Sequence, residues 1–156
     1  MCWSIIRKLL IGGGAERPSP GDWIPWSKIT IEGNKLTAQL PPGVRTWLCG
    51  VGESGSMDPV LDDGTMCLMF EIKDGTPLTA NYLIVGDVAV YRRPTPTFNV
   101  LVRHRIIEIG HDEQGRWFKF QGDNPVTNRK PDKWLIRDSM IKWVVVAIFY
   151  GEDDKP

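Results

Sequence analysis

The sequence has few residues that could cross-link it or bind a metal. Its 156 residues include three cysteines, Cys2, Cys49 and Cys67, and two histidines, and the cysteines form no C-x-x-C pair. An odd number of cysteines at unrelated spacings does not indicate a disulfide framework, and so few ligands do not indicate a zinc site. We therefore expect no metal, no cofactor, and thiols that stay reduced, as they do in the cytoplasm.

An excess of charge of either sign is also missing. Nineteen lysines and arginines balance 19 aspartates and glutamates, so the formal net charge is zero. No overall field draws such a chain to nucleic acid. The sequence has neither a helix-turn-helix pattern nor a basic stripe, and we expect no nucleic-acid partner.

Long apolar runs are absent as well, since none reaches the roughly 18 to 20 residues that a membrane-spanning helix needs. Residues 143–150 (WVVVAIFY) have the length of a buried strand. Residues 1–11 (MCWSIIRKLLI) contain two charges and lack the small-residue cleavage site of a secretory signal. We interpret residues 1–11 as an amphipathic segment that packs on the domain, a partner or a membrane surface. The sequence thus predicts a soluble, cytoplasmic protein with no membrane-spanning segment, and leaves peripheral membrane association open.

Proline and glycine, by contrast, are frequent. Twelve prolines and 16 glycines interrupt the chain, and the apolar runs between them are short and rich in Val, Ile, Trp and Phe. This pattern predicts a mainly β domain whose sheet is coiled or barrel-like. The expected strands, in chain order, are residues 28–31, 35–40, 47–51, 65–72, 87–91, 98–109, 116–121 and 140–150.

Two further expectations concern organisation. Residues 1–45, with their GGG, PSPGDWIPW and LPPG stretches, indicate an extended N-terminal arm, and residues 46–156 indicate the compact domain. Residues 98–109 and 116–121 are predicted to form a hairpin with a long polar tip over 110–115, which contains the solvent-exposed His111.

One short motif suggests a nucleophile. Residues 54–59 (SGSMDP) place two serines around a glycine, followed by a proline that turns the chain. A serine hydroxyl reacts at neutral pH only with a base in hydrogen-bond reach and with donors for the oxyanion. Taken alone, Ser-Gly-Ser is more typical of an ordinary turn.

Three further motifs follow in order: GDVAVY (86–91), LVRHRIIE (101–108) and FKFQGDN (118–124). Together with SGSMDP, they resemble the ordered boxes of the signal peptidases and self-cleaving repressors. The resemblance covers residues 52–150, about two thirds of the chain. It implies a signal-peptidase-type fold, Ser56 as nucleophile, a base at His104, and a preference for small substrate residues. In the family the base is lysine or, in the archaeal and endoplasmic-reticulum type, histidine.

The same resemblance assigns supporting roles. Ser54 corresponds to the hydroxyl that joins the amide of Ser56 in the oxyanion hole. A histidine base needs a carboxylate on its far nitrogen, and the candidates are Asp132 and Asp123. The family's placement of this acid beyond the GDN box favours Asp132, although the intervening segment is longer than expected. For Asp123 the alternative is to hold its own loop together.

These expectations define three possible functions. The first is a serine endopeptidase, with a Ser56–His104 dyad or a triad, that cuts an extended peptide bound as an added strand. The second is a phage or mobile-element interaction module on the same fold, whose arm tryptophans Trp3, Trp23 and Trp26 contact a protein partner. The third is a self-processing regulator, although residues 14–16 lack the family's Ala-Gly or Cys-Gly cleavage dipeptide.

Overall fold

The computed structural model of the chain describes residues 18–52, 54–95 and 100–150. The expected segment 1–11, the tryptophan at position 3 and the candidate cleavage site at 14–16 lie outside these ranges. The described residues form nine strands: β1 (Ile29–Glu32), β2 (Lys35–Ala38), β3 (Thr46–Gly50), β4 (Met66–Glu71), β5 (Val88–Arg92), β6 (Leu101–Asp112), β7 (Gly115–Gln121), β8 (Ile136–Arg137) and β9 (Ile141–Phe149). Three short 3-10 turns, Trp26–Lys28, Ala80–Tyr82 and Asp138–Met140, complete the regular structure of the described residues.

The strands form one small and one large antiparallel sheet. β1 and β2 pair with each other alone, and the other strands pair in the order β3-β4-β9-β5-β6-β7-β8. The prediction of a mainly β fold is confirmed. Within the described ranges, no helix is long and apolar enough to cross a membrane.

The central strands have apolar residues on both faces, because each face covers a separate core. On β5, Val88 and Val90 belong to one buried cluster, whereas Ala89 and Tyr91 belong to the other. Successive side chains of a strand point to opposite faces. A continuous apolar run such as VAVY is therefore required by a sheet that is covered on both sides.

The large sheet curls, as the long reach of Arg103 shows. This residue lies on β6, yet its guanidinium contacts the thiols of Cys49 on β3 and Cys67 on β4. In the sheet order, β9 and β5 separate β4 from β6. One side chain can bridge these strands only if the sheet coils so that they face each other.

The segment before β1 packs against the large sheet. Asp87 is fully buried, and its carboxylate accepts hydrogen bonds from the backbone N–H of Gly21, the indole N–H of Trp23 and the backbone N–H of Ile84. A Cβ on Gly86 would lie 1.9 Å from the carbonyl oxygen of Ser19. Glycine is therefore needed for this close approach.

The predicted hairpin forms, but its predicted long tip is wrong. The β6–β7 pairing continues to Asp112 opposite Gly115, so His111 is an exposed strand residue paired with Arg116. The turn is short because Gly115 takes φ +101° and the Asp112 carboxylate accepts the N–H of Gln114. Exposed polar residues on a projecting hairpin lack the apolar alternation from which a strand is predicted.

Candidate active site

A groove of about 750 Å³ brings the predicted nucleophile and base to one place. Its lining includes Ser54 and Ser56 from the loop after β3, and His104 from β6. Much of the remaining lining is apolar, with side chains from β3, β4, β5 and β9 such as Met69, Val90 and Trp143. The curl of the sheet makes the groove, because it sets the loop after β3 against the beginning of β6.

The loop that carries Ser56 is held by hydrogen bonds to its backbone carbonyls. The carbonyl of Ser56 accepts the N–H of Asn124 at 3.1 Å and the side-chain amide of Asn128 at 2.8 Å. The carbonyl of Gly55 accepts the side-chain amide of Asn124 at 2.6 Å. Because these bonds use carbonyl oxygens, they fix the loop while leaving the Ser56 hydroxyl free to face the groove.

Gly122 permits this contact between the loops. A Cβ at position 122 would lie 2.4 Å from both the carbonyl oxygen of Ser56 and the amide nitrogen of Asn128. Any larger residue would push the two loops apart. The glycine and asparagine of the GDN motif thus support the nucleophile loop.

The two serines of the motif contact each other. The Oγ atoms of Ser54 and Ser56 are 3.2 Å apart, and the backbone N–H of Ser56 donates to Ser54 Oγ at 3.5 Å. A backbone amide and a hydroxyl beside a nucleophile are donors of the kind that stabilise an oxyanion, once they no longer contact each other. No hydrogen bond joins Ser56 to His104 in the described structure, and nucleophile–base contacts often form fully only when substrate binds.

His104 is paired with Asp132. The histidine is only 8% exposed, and its Nδ1 lies 2.8 Å from Asp132 Oδ2. An ionised carboxylate can only accept, so this bond assigns the proton to Nδ1 and leaves the lone pair on Nε2. A neutral imidazole in this tautomer can take a proton through Nε2.

Tyr91 also contacts the acid, and it was not among the residues predicted from the sequence. Its hydroxyl donates to the same Oδ2 of Asp132 at 2.7 Å. Burial of the ring, together with the adjacent Asp132 carboxylate, raises the pKa of Tyr91, so the hydroxyl remains a donor. The backbone N–H of Asp132 donates to the carbonyl of Phe120 on β7. These contacts fix the carboxylate before any substrate arrives.

Asp123, the other candidate acid, contacts a different partner. Its two carboxylate oxygens accept from Nε and Nη2 of Arg105, at 2.8 and 2.6 Å, in a buried two-pronged ion pair. Arg105 also donates to the carbonyl of Gly86. The geometry therefore places Asp132, and not Asp123, beside His104, and gives Asp123 a loop-holding position.

Comparisons with protein-family models, with curated proteins and with solved structures gave no match to this chain. Among the described residues, no group of three or more histidine, cysteine, aspartate or glutamate side chains is arranged to hold a metal ion.

Proposed function

We propose that this chain is a serine endopeptidase in which Ser56 is the nucleophile, His104 the general base and Asp132 the orienting acid. The single observation that carries the proposal is the 2.8 Å contact between His104 Nδ1 and Asp132 Oδ2, at a histidine that shares a groove with Ser54 and Ser56. A buried histidine with a carboxylate on one nitrogen has its second nitrogen prepared for proton transfer. The signal-peptidase-like motifs supply Ser56 and His104 independently, and they leave the acid open between Asp132 and Asp123.

In the proposed reaction, the Ser56 hydroxyl attacks the substrate carbonyl and its proton passes to Nε2 of His104. The Asp132 carboxylate stabilises the imidazolium that forms. The Ser54 hydroxyl and the Ser56 N–H donate to the oxyanion. His104 then returns the proton to the leaving amine, and a water molecule, activated by the same histidine, hydrolyses the acyl-enzyme.

The resting contacts are consistent with a small rearrangement on substrate binding. At present the Ser54 and Ser56 hydroxyls contact each other at 3.2 Å. Attack requires Ser56 to donate to His104 instead, whereas Ser54 must donate to the oxyanion. Rotation about the Cα–Cβ bonds of the two serines would separate these hydroxyls, while the Asn124 and Asn128 contacts hold the carbonyls of Gly55 and Ser56.

The substrate pose follows from the edge of the sheet. β3 is the first strand in the pairing order and has a neighbour on one side only among the described strands. Its residues Trp47 and Leu48 are 46% and 52% exposed, and Trp47 also lines the groove. An extended peptide can add to such an edge through main-chain hydrogen bonds, with alternate side chains entering the groove.

The test uses a covalent active-site serine reagent and intact-mass spectrometry. We expect one label on the wild-type protein, located at Ser56 by peptide mapping, and no label on Ser56→Ala or His104→Ala. The exposed residues Ser139 and His111 provide matched controls, and Ser139→Ala and His111→Ala should label normally. Persistent labelling of Ser56→Ala would refute the assignment. If no form reacts or cleaves peptide, and the protein copurifies with a stoichiometric partner, the interaction-module function is favoured instead.

A further inference from the structure

Two arginines of the groove have no carboxylate partner among the described residues. Arg103 lines the groove, and its Nη1 and Nη2 reach only the thiols of Cys67 and Cys49, each at 3.6 Å. Arg93 also lines the groove, and its guanidinium lies 5.1 Å from the ring centroid of Trp134. The Nε atoms of both arginines are buried without a hydrogen-bond acceptor.

The Cys67 thiol does not neutralise Arg103. Burial raises the pKa of Cys67, and this effect exceeds the opposing influence of the Arg103 charge, so the thiol stays protonated at neutral pH. A sulfur atom of this kind is a weak acceptor. By contrast, Arg105 in the same strand has a two-pronged carboxylate partner.

The groove wall therefore has positive charge that no described residue of its lining balances. Its lining contains no aspartate or glutamate among the described residues, and Glu53 lies outside them. Removing an arginine from water without a counter-charge is unfavourable. Nη1 and Nη2 of Arg103 each carry two N–H bonds, so a bound carboxylate could accept from those that do not face a thiol. Guanidinium groups match carboxylates through paired hydrogen bonds.

We propose that the groove binds peptides with an acidic side chain, whose carboxylate is held by Arg103 with Arg93 adding a second positive charge. This inference rests on the proposed peptidase function and names its substrate class. The surrounding apolar lining, which includes Val51 and Met69, suits the methylene groups of glutamate. The acidic residue is a second determinant, added to the preference for small residues that the signal-peptidase resemblance implies.

The kinetic test uses short acetylated and amidated alanine-serine peptides in which one glutamate, or one glutamine, occupies each position in turn. At one position we expect the wild type to cleave the glutamate peptide about 10- to 100-fold more efficiently than its glutamine counterpart, the range typical of a hydrogen bond to a charged group. Arg103→Gln should bring this ratio close to one, and Arg103→Glu should favour a lysine peptide. Arg92→Gln removes an exposed charge beside the groove and should keep the wild-type ratio. An unchanged ratio in Arg103→Gln and Arg103→Glu overturns the proposal.

A binding test separates this inference from the proposed catalysis. Ser56→Ala protein is titrated with the glutamate and glutamine peptides, and the dissociation constants are measured by calorimetry. We expect tighter binding of the glutamate peptide by about 10-fold or more, lost in Ser56→Ala/Arg103→Gln. If wild-type protein shows no cleavage but this difference is present, the acidic-peptide site stands and the peptidase function fails. Equal binding of the two peptides overturns the acidic-peptide site, whatever the catalytic result.

Discussion

Replacement of Asp132 by asparagine tests the proposed triad most directly. Asp132 Oδ2 accepts from both His104 Nδ1 at 2.8 Å and the Tyr91 hydroxyl at 2.7 Å. An asparagine has one acceptor oxygen and one donor amide. If the oxygen takes the position of Oδ2, it can accept from both residues, but the negative charge that stabilises the imidazolium is lost. If the amide takes that position, it donates to Nδ1, so the ring proton moves to Nε2. That tautomer cannot accept the proton of Ser56.

The expected loss in kcat is about 10³- to 10⁴-fold, the effect of the equivalent change in a Ser-His-Asp triad, which corresponds to about 4 to 5 kcal/mol of activation free energy. The assay is single-turnover cleavage of a peptide that the wild type accepts. Stability is measured in parallel by thermal unfolding. Because asparagine has nearly the shape of aspartate, we expect a small change in Tm alongside the large loss of rate.

Asp123→Asn is the matched comparison. It breaks the buried ion pair with Arg105, whose Nη2 lies 2.6 Å from the carboxylate, and leaves that arginine without its counter-charge. Loss of one partner of a buried pair costs about 3 to 5 kcal/mol, which lowers Tm by roughly 10 °C in a domain of this size. The rate per folded molecule should remain near that of the wild type. The reverse pattern, with Asp132→Asn active and Asp123→Asn stable but inactive, would refute the assignment of the acid.

Three further predictions concern the hydrogen bond to the acid, the packing of the nucleophile loop and the pH dependence of stability. Tyr91→Phe keeps the buried ring but removes the hydrogen bond to Asp132. We expect roughly a 10-fold lower kcat with little change in KM, measured by steady-state kinetics. We also expect about 1 kcal/mol lower stability, measured by urea unfolding. Gly122→Ala should lower both Tm and kcat, by about 1 to 3 kcal/mol in stability, because its Cβ would collide with the Ser56 carbonyl; normal labelling of Ser56 in this variant would contradict the reasoning. The hydrogen bond from Arg137 lowers the pKa of Asp112, so this carboxylate stabilises the fold above its ordinary pKa of 3.8 and loses that contribution as the pH falls further. The Tm difference between wild type and Asp112→Asn should therefore be present at pH 6 and shrink in more acidic solution.

The sequence predicts the strands best where glycine or proline ends an apolar run, because these two residue types constrain the backbone. Apolar runs bounded by glycine and proline located β4, β5 and β9 to within about a residue, and the GDVAVY run required burial on both faces. The short β8 was missed, because two residues contain too little periodicity to indicate a strand. The polar end of the β6–β7 hairpin was missed for a related reason, since its strands cover no core there.

The local contacts of the site depended on long-range folding. The serine and histidine could be proposed from ordered motifs, but the choice between Asp132 and Asp123 could not. Asp123 lies in the GDN box and Asp132 lies eight residues after it, and only the fold decides which of them is beside His104. Tyr91 ends an apolar strand, and nothing in the sequence distinguishes a core tyrosine from one that donates to an acid. Arg103 is one residue from the predicted base, yet its free donors appear only once the sheet curl places it against Cys49 and Cys67.

The long segment between the GDN motif and Asp132 has a physical reason in this geometry. Asn124, at its start, binds the carbonyl of Gly55, and Asn128, near its middle, binds the carbonyl of Ser56. Asp132, at its end, is fixed by the backbone of Phe120 and contacts His104. A shorter connection could reach the base or the nucleophile loop, but it would lack residues to hold both. The segment between the GDN motif and Asp132 is longer than expected from the family, and this length lets one loop position both the nucleophile and the base. In the proposed mechanism, the relative geometry of Ser56 and His104 therefore depends on a single segment of chain.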